Sequence, residues 1–146
     1  MTYKELEERL PILRKEMGVT YKWLQEHGLS NETVHKINHG ENYKIGSLFK
    51  YVDNLYYTIK VDGVIVKDLQ ALGQFLKNKR KELGFNGIEM QSKLVWSASQ
   101  LAKIEKGQEY FKSSFLAYIE VVPVDFDLIS LLNISNDDEQ EYFNIE

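Results

Sequence analysis

The chain has 146 residues, of which 43% are hydrophobic and 27% are charged, with no cysteine and a formal net charge of −4. This composition is typical of a globular protein with an apolar core, and no apolar run reaches the roughly 18 residues that a membrane span requires. The absence of cysteine excludes disulfides and thiolate metal ligands, and it fits a reducing compartment. No secretion signal is visible, so we expect a cytoplasmic protein without a membrane partner.

The charges are distributed unevenly along the chain. Residues 1–66 carry nine basic and nine acidic side chains, and residues 67–120 carry nine basic and six acidic ones. Residues 121–146 carry seven acidic side chains and no basic one. The sequence therefore predicts an acidic tail over residues 133–146 and a locally basic second half, which is compatible with a nucleic-acid partner.

In chain order, the first half opens with apolar residues at the spacing of amphipathic helices. Four helices are predicted, over residues 4–17, 21–26, 30–39 and 47–55. Pro11 is expected to kink the first helix or to mark a later start, and Thr20 can cap the second. Residues 57–66 are rich in β-branched types around Asp62-Gly63, which predicts a β-hairpin with a type I′ turn.

The second half repeats this order of elements. Helices are predicted over residues 68–83, 86–94, 97–107 and 114–120, followed by a strand over residues 121–129. Asn86 with Glu89, and Ser97 with Gln100, have the spacing of a capping box, and Gly107 can supply the left-handed residue that ends a helix. We predict that the strand pairs with the hairpin and joins the two halves around a pseudo-twofold axis.

The two halves are also related in sequence. Subtracting 67 from the residue number maps the third helix of the second half onto that of the first. This shift places Ser97, Leu101, Ile104 and Gly107 over Ser30, Val34, Ile37 and Gly40. Upstream the shift is smaller by one, so a single residue is missing from the first half near residues 26–27, in a turn. Agreement of this length predicts an internal duplication, with domains at residues 1–66 and 67–132.

One stretch of the second half has a characteristic order of residues. Gly84 closes the first helix, Met90-Gln91 lies in the second, Trp96-Ser97 opens the third, and Ile104-Glu105-Lys106-Gly107 ends it. This pattern resembles the phage repressor and Cro-type helix-turn-helix proteins of the Xre family, and residues 18–40 resemble it less closely, with Asn38 where a Glu is usual. The resemblance implies a mainly α fold of two tandem lambda-repressor-like helix-turn-helix domains, with short β segments after the fourth helix of each.

The resemblance also implies that the third helix of each half reads base edges in duplex DNA. The implied DNA-binding residues are Ser97, Ala98, Ser99, Gln100 and Lys103 in the second half, and Asn31, Glu32, Thr33, His35 and Lys36 in the first. Amide side chains can pair with adenine and lysine can reach guanine, whereas Glu32 would repel phosphates unless it accepts from a cytosine amine. His35 and His39 have a metal-binding spacing, but without cysteine or an evident third ligand no metal site is predicted.

These observations predict a sequence-specific, double-stranded DNA-binding transcription regulator whose two halves act as an intramolecular pseudo-dimer. Relatives with a single domain bind as twofold dimers on half-sites about one helical turn apart. The alternative is a protein-interaction module of antitoxin or anti-repressor type, with a protein partner and weak or lost DNA binding. No catalytic constellation and no glycine-rich phosphate loop is visible, so neither an enzyme activity nor a cofactor is predicted.

Overall fold

The structure, a computed structural model, describes residues 1–133, so all but the first residue of the predicted acidic tail lies outside the described residues. Within this range the protein is mainly helical, with a small sheet of three strands. The first half contains α1 (Tyr3–Glu16), α2 (Tyr21–Glu26), α3 (Asn31–Asn38), α4 (Ile45–Asn54), β1 (Tyr57–Val61) and β2 (Val64–Val66). The second half contains α5 (Leu69–Glu82), α6 (Gly87–Leu94), α7 (Ala98–Glu105), α8 (Lys112–Val121) and β3 (Phe126–Ser130), followed by a short 3-10 turn over Leu131–Asn133. None of the helices in residues 1–133 combines the length and apolar character that a membrane span requires.

The helix starts that the sequence marked are confirmed. The Thr20 hydroxyl accepts the backbone N–H of Trp23 at 3.0 Å, which satisfies one of the donors that the first turn of a helix leaves without a partner. Both predicted capping boxes form at the starts of α6 and α7. Gly107, just after α7, has a φ of 75°, the left-handed value that its position required.

Several element boundaries differ from the prediction. Pro11 lies inside an unbroken α1 that begins at Tyr3, so the later start is wrong. The fourth helices begin two residues earlier than predicted, at Ile45 and Lys112, because the segments before them are held by the other half of the chain, as described below. The last strand is shorter and later than residues 121–129, since α8 continues to Val121 and Pro123 has no N–H for a strand ladder.

The sheet joins the two halves of the chain. Its strand order is β2-β1-β3, and both pairings are antiparallel. Asp62 and Gly63, with φ values of 48° and 81°, form the predicted tight turn between β1 and β2. On its other side β1 pairs with β3, with Ile59 opposite Leu128, so the predicted pairing of the last strand with the hairpin is confirmed.

A second connection between the halves lies just before the fourth helices. The backbone N–H of Ile45 donates to the carbonyl of Tyr110 at 2.9 Å, and the N–H of Lys112 donates to the carbonyl of Tyr43 at 2.8 Å. The shift that relates the third helices also maps Tyr110 onto Tyr43 and Lys112 onto Ile45. The contact is therefore reciprocal: the same two positions of each half bind each other, as in the isologous interface of a twofold dimer.

The same symmetry caps the two fourth helices. The carboxylate of Glu109 accepts the N–H of Gly46 at 2.8 Å, and the side-chain oxygen of Asn42 accepts the N–H of Ser113 at 3.0 Å. Neither α4 nor α8 has a side-chain cap from its own N-cap residue. Each helix start is thus completed by a loop from the other half, and a Cβ at position 46 would collide with the Glu109 carboxylate.

The apolar interior is continuous across the halves. The buried hydrophobic residues of both halves form one cluster rather than two. Near its centre the ring of Tyr3 in α1 lies 5.3 Å from that of Phe115 in α8 and 5.5 Å from that of Phe126 in β3. These contacts bury aromatic area between the first helix of one half and the last elements of the other, so the halves stabilise each other.

Candidate nucleic-acid interface

The third helices, α3 and α7, are attached to the core by the same two positions. Val34 and Ile37 are buried in α3, and Leu101 and Ile104 are buried in α7, as their spacing of three residues predicted. The remaining predicted residues of α7 and most of those of α3 lie on the outer surface. Each helix therefore has an apolar side fixed to the protein and a polar side turned to solvent.

The outer side of α7 contains short polar residues and one cation. Ser97 caps the helix, and Ala98, Ser99, Gln100 and Lys103 are all exposed. The side-chain oxygen of Gln100 accepts the N–H of Ser97 at 2.8 Å, so it belongs to the capping box. A bidentate contact with adenine uses both the oxygen and the amide N–H₂ of a glutamine. Gln100 would have to leave the cap to make it, whereas Ser99 and Lys103 can bind without rearrangement.

The outer side of α3 is already occupied by contacts within the protein. Lys36 forms an ion pair with Glu32 at 3.2 Å, one turn away. The hydroxyl of Thr33 accepts a hydrogen bond from the Ser30 hydroxyl at 2.9 Å, and Thr33 is half-buried. Of the five predicted residues only Asn31 has no such contact within residues 1–133. The outer side of α3 is therefore nearly neutral in charge.

The histidines of α3 are brought together with a residue that the sequence analysis missed. The rings of His35 and His39 are stacked, with centroids 4.0 Å apart. Nε2 of His35 also lies 3.5 Å from a carboxylate oxygen of Glu41. Glu41 follows Gly40, the glycine that ends α3. Its position two residues after His39 was the only feature of the sequence that could have indicated a third residue beside the two histidines.

The electrostatic contrast between the two third helices is clear. Among residues 1–133 the ion pairs include Lys36 of α3 but not Lys103 of α7. Lys103 also lines a groove of about 160 Å³ beside α7, together with Trp96, Gln100, Tyr110 and Phe111. Among the described residues, α7 therefore presents a lysine outside the ion pairs next to a groove, whereas the lysine of α3 is paired.

A buried network holds the end of α7 against α5. The guanidinium of Arg80 donates to both carboxylate oxygens of Glu105 at 2.7 and 3.0 Å, and Tyr118 donates to the same carboxylate at 2.6 Å. These bonds from the guanidinium to Glu105 raise the pKa of Arg80 above its usual value. The pKa of Tyr118 is also raised, because its hydroxyl is buried and lies beside that carboxylate.

The corresponding network in the first half is weaker because Asn38 stands where the second half has Glu105. Tyr51 donates to the Asn38 side-chain oxygen at 2.9 Å, but Nε of Arg14 is buried without a hydrogen-bond partner. The pKa of Tyr51 is raised to about 12, mainly by burial. The third helix of the first half is thus anchored with one ion pair fewer than its counterpart.

The second helices differ at the place where the residue is missing. α2 has six residues and α6 has eight. The turn after α2 contains Gly28, with a φ of 95°, whereas α6 is followed directly by Val95, a β-branched residue with a φ of 56°. Gln25 is exposed and Gln91 is half-buried, so neither glutamine lies in the core between the helices.

Comparison of the chain with protein-family models, with characterised proteins and with solved structures gives no match. The class that the structure defines is a mainly helical protein with a three-stranded sheet. The resemblance to the Xre family stays a prediction from the sequence.

Proposed function

We propose that this protein binds double-stranded DNA sequence-specifically, as a transcription regulator built from two tandem lambda-repressor-like helix-turn-helix units. The observation that carries the proposal is the reciprocal bonding of Tyr43, Ile45, Tyr110 and Lys112. Tyr43 and Tyr110 lie in the loops that follow α3 and α7, and Ile45 and Lys112 begin the next helices, so the loops that leave the two third helices meet at one shared contact. A dimer of single units would place its recognition helices in this way on two half-sites of one duplex.

The two halves have unequal roles in this proposal. The exposed face of α7 carries Ser99 in the first turn, where backbone N–H groups and the helix dipole favour a phosphate, and Lys103 in the last turn, where it adds a positive charge. In α3 the Glu32–Lys36 pair leaves little net charge for the DNA backbone. We therefore expect the second half to supply most of the affinity, and the site to be asymmetric.

The experiment is a selection of binding sequences from a pool of random duplexes at low salt, followed by affinity measurements on the selected duplex at increasing salt. A chain that neutralises several phosphates loses affinity with a log–log slope of roughly −0.9 per phosphate. We expect a selected sequence motif and a slope of several units. Failure to retain any duplex at low salt would contradict the proposal.

The alternative function, a protein-interaction module of antitoxin or anti-repressor type, has one observation in its favour. Glu32 and Glu41 lie beside Lys36 and His35 and oppose phosphate binding by α3. In that case α3 would dock on a protein and only α7, or neither helix, would touch DNA. The random-duplex selection separates the two functions, because a pure interaction module enriches no sequence.

A further inference from the structure

We propose that His35, His39 and Glu41 form a binding site for one divalent transition-metal ion such as Zn²⁺, with water completing its coordination. One potential ligand atom from each of the three residues lies within 4.8 Å of the other two. This inference goes beyond the proposed DNA binding and does not depend on it.

The distances between the ligand atoms suit a single small ion. Zinc binds imidazole nitrogen at about 2.0–2.1 Å, so ligand atoms around a tetrahedral ion are roughly 3.3 Å apart. Nε2 of His35 lies 3.5 Å from the Glu41 carboxylate, already close to that value. The stacked rings of His35 and His39 have to turn apart so that both lone pairs point at the ion, and because all three side chains are exposed they can do so without disturbing the core.

The tautomer of His39 also favours metal binding. Its Nδ1 lies 2.8 Å from the backbone carbonyl of His35, and a carbonyl can only accept, so Nδ1 carries the proton. The other ring nitrogen, Nε2, then has a lone pair for a metal. Histidines that bind metals commonly donate their second ring N–H to such a carbonyl, which fixes the tautomer and the ring orientation.

The backbone holds Glu41 in position for this role. Gly40 turns the chain with a φ of 66°, and the N–H of Glu41 donates to the carbonyl of Lys36 at 2.9 Å. The ammonium group of Lys112 donates to the Gly40 carbonyl at 2.9 Å, while its charge is balanced by Glu7. The turn is therefore fixed from two sides, and little ordering is needed when the ion binds.

The ligand set selects the kind of ion. Two imidazoles and one carboxylate suit zinc, copper or nickel, whereas magnesium and calcium prefer sites made of oxygen ligands. The corresponding positions of the second half, under the shift that maps Ser97 onto Ser30, are Ala102, Lys106 and Gln108, which include no such ligand. The site is thus confined to the first half, and a stoichiometry of one ion per chain is expected.

The test is isothermal titration of the full chain with ZnCl₂ in a non-chelating buffer near neutral pH, with MgCl₂ as the comparison ion. The variants are His35→Ala, His39→Ala and Glu41→Gln. His27→Ala is the matched control, because His27 is also exposed and its Nδ1 also lies near a backbone carbonyl, that of Trp23 at 2.7 Å. Circular dichroism checks that each variant is folded.

We expect one Zn²⁺ per chain and no response to Mg²⁺. His35→Ala and His39→Ala should each lower the zinc affinity at least about tenfold, because removing a ligand should weaken binding no less than removing the hydrogen bond that supports a ligand. Glu41→Gln should bind more weakly and His27→Ala should bind as the parent chain does. In nitrogen-15 spectra, zinc should shift Nε2 of His35 and His39. Absence of zinc binding, or binding that the three variants leave unchanged, would overturn the proposal. Equal loss in His27→Ala would overturn it as well.

Discussion

The carboxylate of Glu7 lies 2.8 Å from the ammonium nitrogen of Lys112, in the interior of the protein, with side chains only 6% and 9% exposed. The two residues come from α1 of the first half and from the start of α8 in the second, 105 positions apart. Lys112 also donates to the carbonyl of Gly40, at the end of α3. This ion pair therefore ties the core of one half to the reciprocal contact between the segments that precede the two fourth helices.

Removing one charge of this pair should destabilise the whole chain. Glu7→Gln leaves the ammonium of Lys112 buried without its counter-charge, which costs about 3–5 kcal/mol for a buried pair. We expect the free energy of unfolding in urea to fall by about this amount. Glu8→Gln, an exposed neighbour on the same helix, is the control and should change it by less than about 0.5 kcal/mol. Equal effects of the two substitutions would show that the pair is unimportant for stability.

Two tyrosines at corresponding positions should respond in opposite ways to loss of the hydroxyl. Tyr43 donates to Glu7 at 2.6 Å and lies 2.6 Å from the Tyr3 hydroxyl, so Tyr43→Phe leaves buried groups unsatisfied and should cost about 1–3 kcal/mol. The Tyr110 hydroxyl is buried with no partner among the described residues, so Tyr110→Phe should be neutral or stabilising. Urea unfolding measures both. A larger loss for Tyr110→Phe than for Tyr43→Phe would refute this assignment.

Val95 is a strained residue whose replacement should stabilise the protein. A β-branched residue in the left-handed region is unfavourable, and the Val95 side chain is 89% exposed, so it gains little from burial. Val95→Gly should raise the free energy of unfolding by up to about 1 kcal/mol, after the extra freedom of glycine in the unfolded chain is taken into account.

The control for Val95 lies in α6, the helix that Val95 follows. Ile88 is 79% exposed but lies within the helical part of α6. Ile88→Gly should therefore lower stability by roughly 0.5–1 kcal/mol through helix propensity alone. If Val95→Gly and Ile88→Gly both lower the free energy of unfolding, the backbone conformation of Val95 is not strained.

The sequence predicted the features that depend on neighbours in the chain. The spacing of Leu101 and Ile104, the Ser97 cap and the Asp62-Gly63 turn each rest on a few consecutive residues, and the structure confirms them. The features it missed depend on distant residues. α4 and α8 start early because Tyr110 and Tyr43 hold their first residues from the other half of the chain. No local pattern contains such information.

The same reason explains what was missed in the candidate site. The positions of the third helices could be predicted from their caps and periodicity. The sequence analysis did not predict the ion pair between Glu32 and Lys36, or the hydrogen bond that engages Gln100 in the cap of its own helix. Glu41 was overlooked because the helix period does not extend past Gly40. The chain returns there through a left-handed turn, and the side chain meets His35.

Lysines of the two third helices should contribute unequally to DNA binding. Lys103→Ala removes an uncompensated charge from α7 and should weaken binding at all salt concentrations, with the salt slope reduced by about one unit. Lys36→Ala should have a smaller effect, because Glu32 already pairs with Lys36. Glu32→Gln should tighten binding by releasing that lysine. Fluorescence anisotropy with the selected duplex measures all three, and a larger effect of Lys36→Ala would contradict the proposed division of roles.

The most direct test of the central claim is a hydroxyl-radical footprint of the full chain on the selected duplex. If α3 and α7 are related by a pseudo-twofold axis and bind the same duplex, two clusters of protected nucleotides should lie on one face of the DNA, about 10 base pairs apart. Lys103→Ala should weaken one cluster before the other. A single cluster, or two clusters on opposite faces of the duplex, would contradict the account.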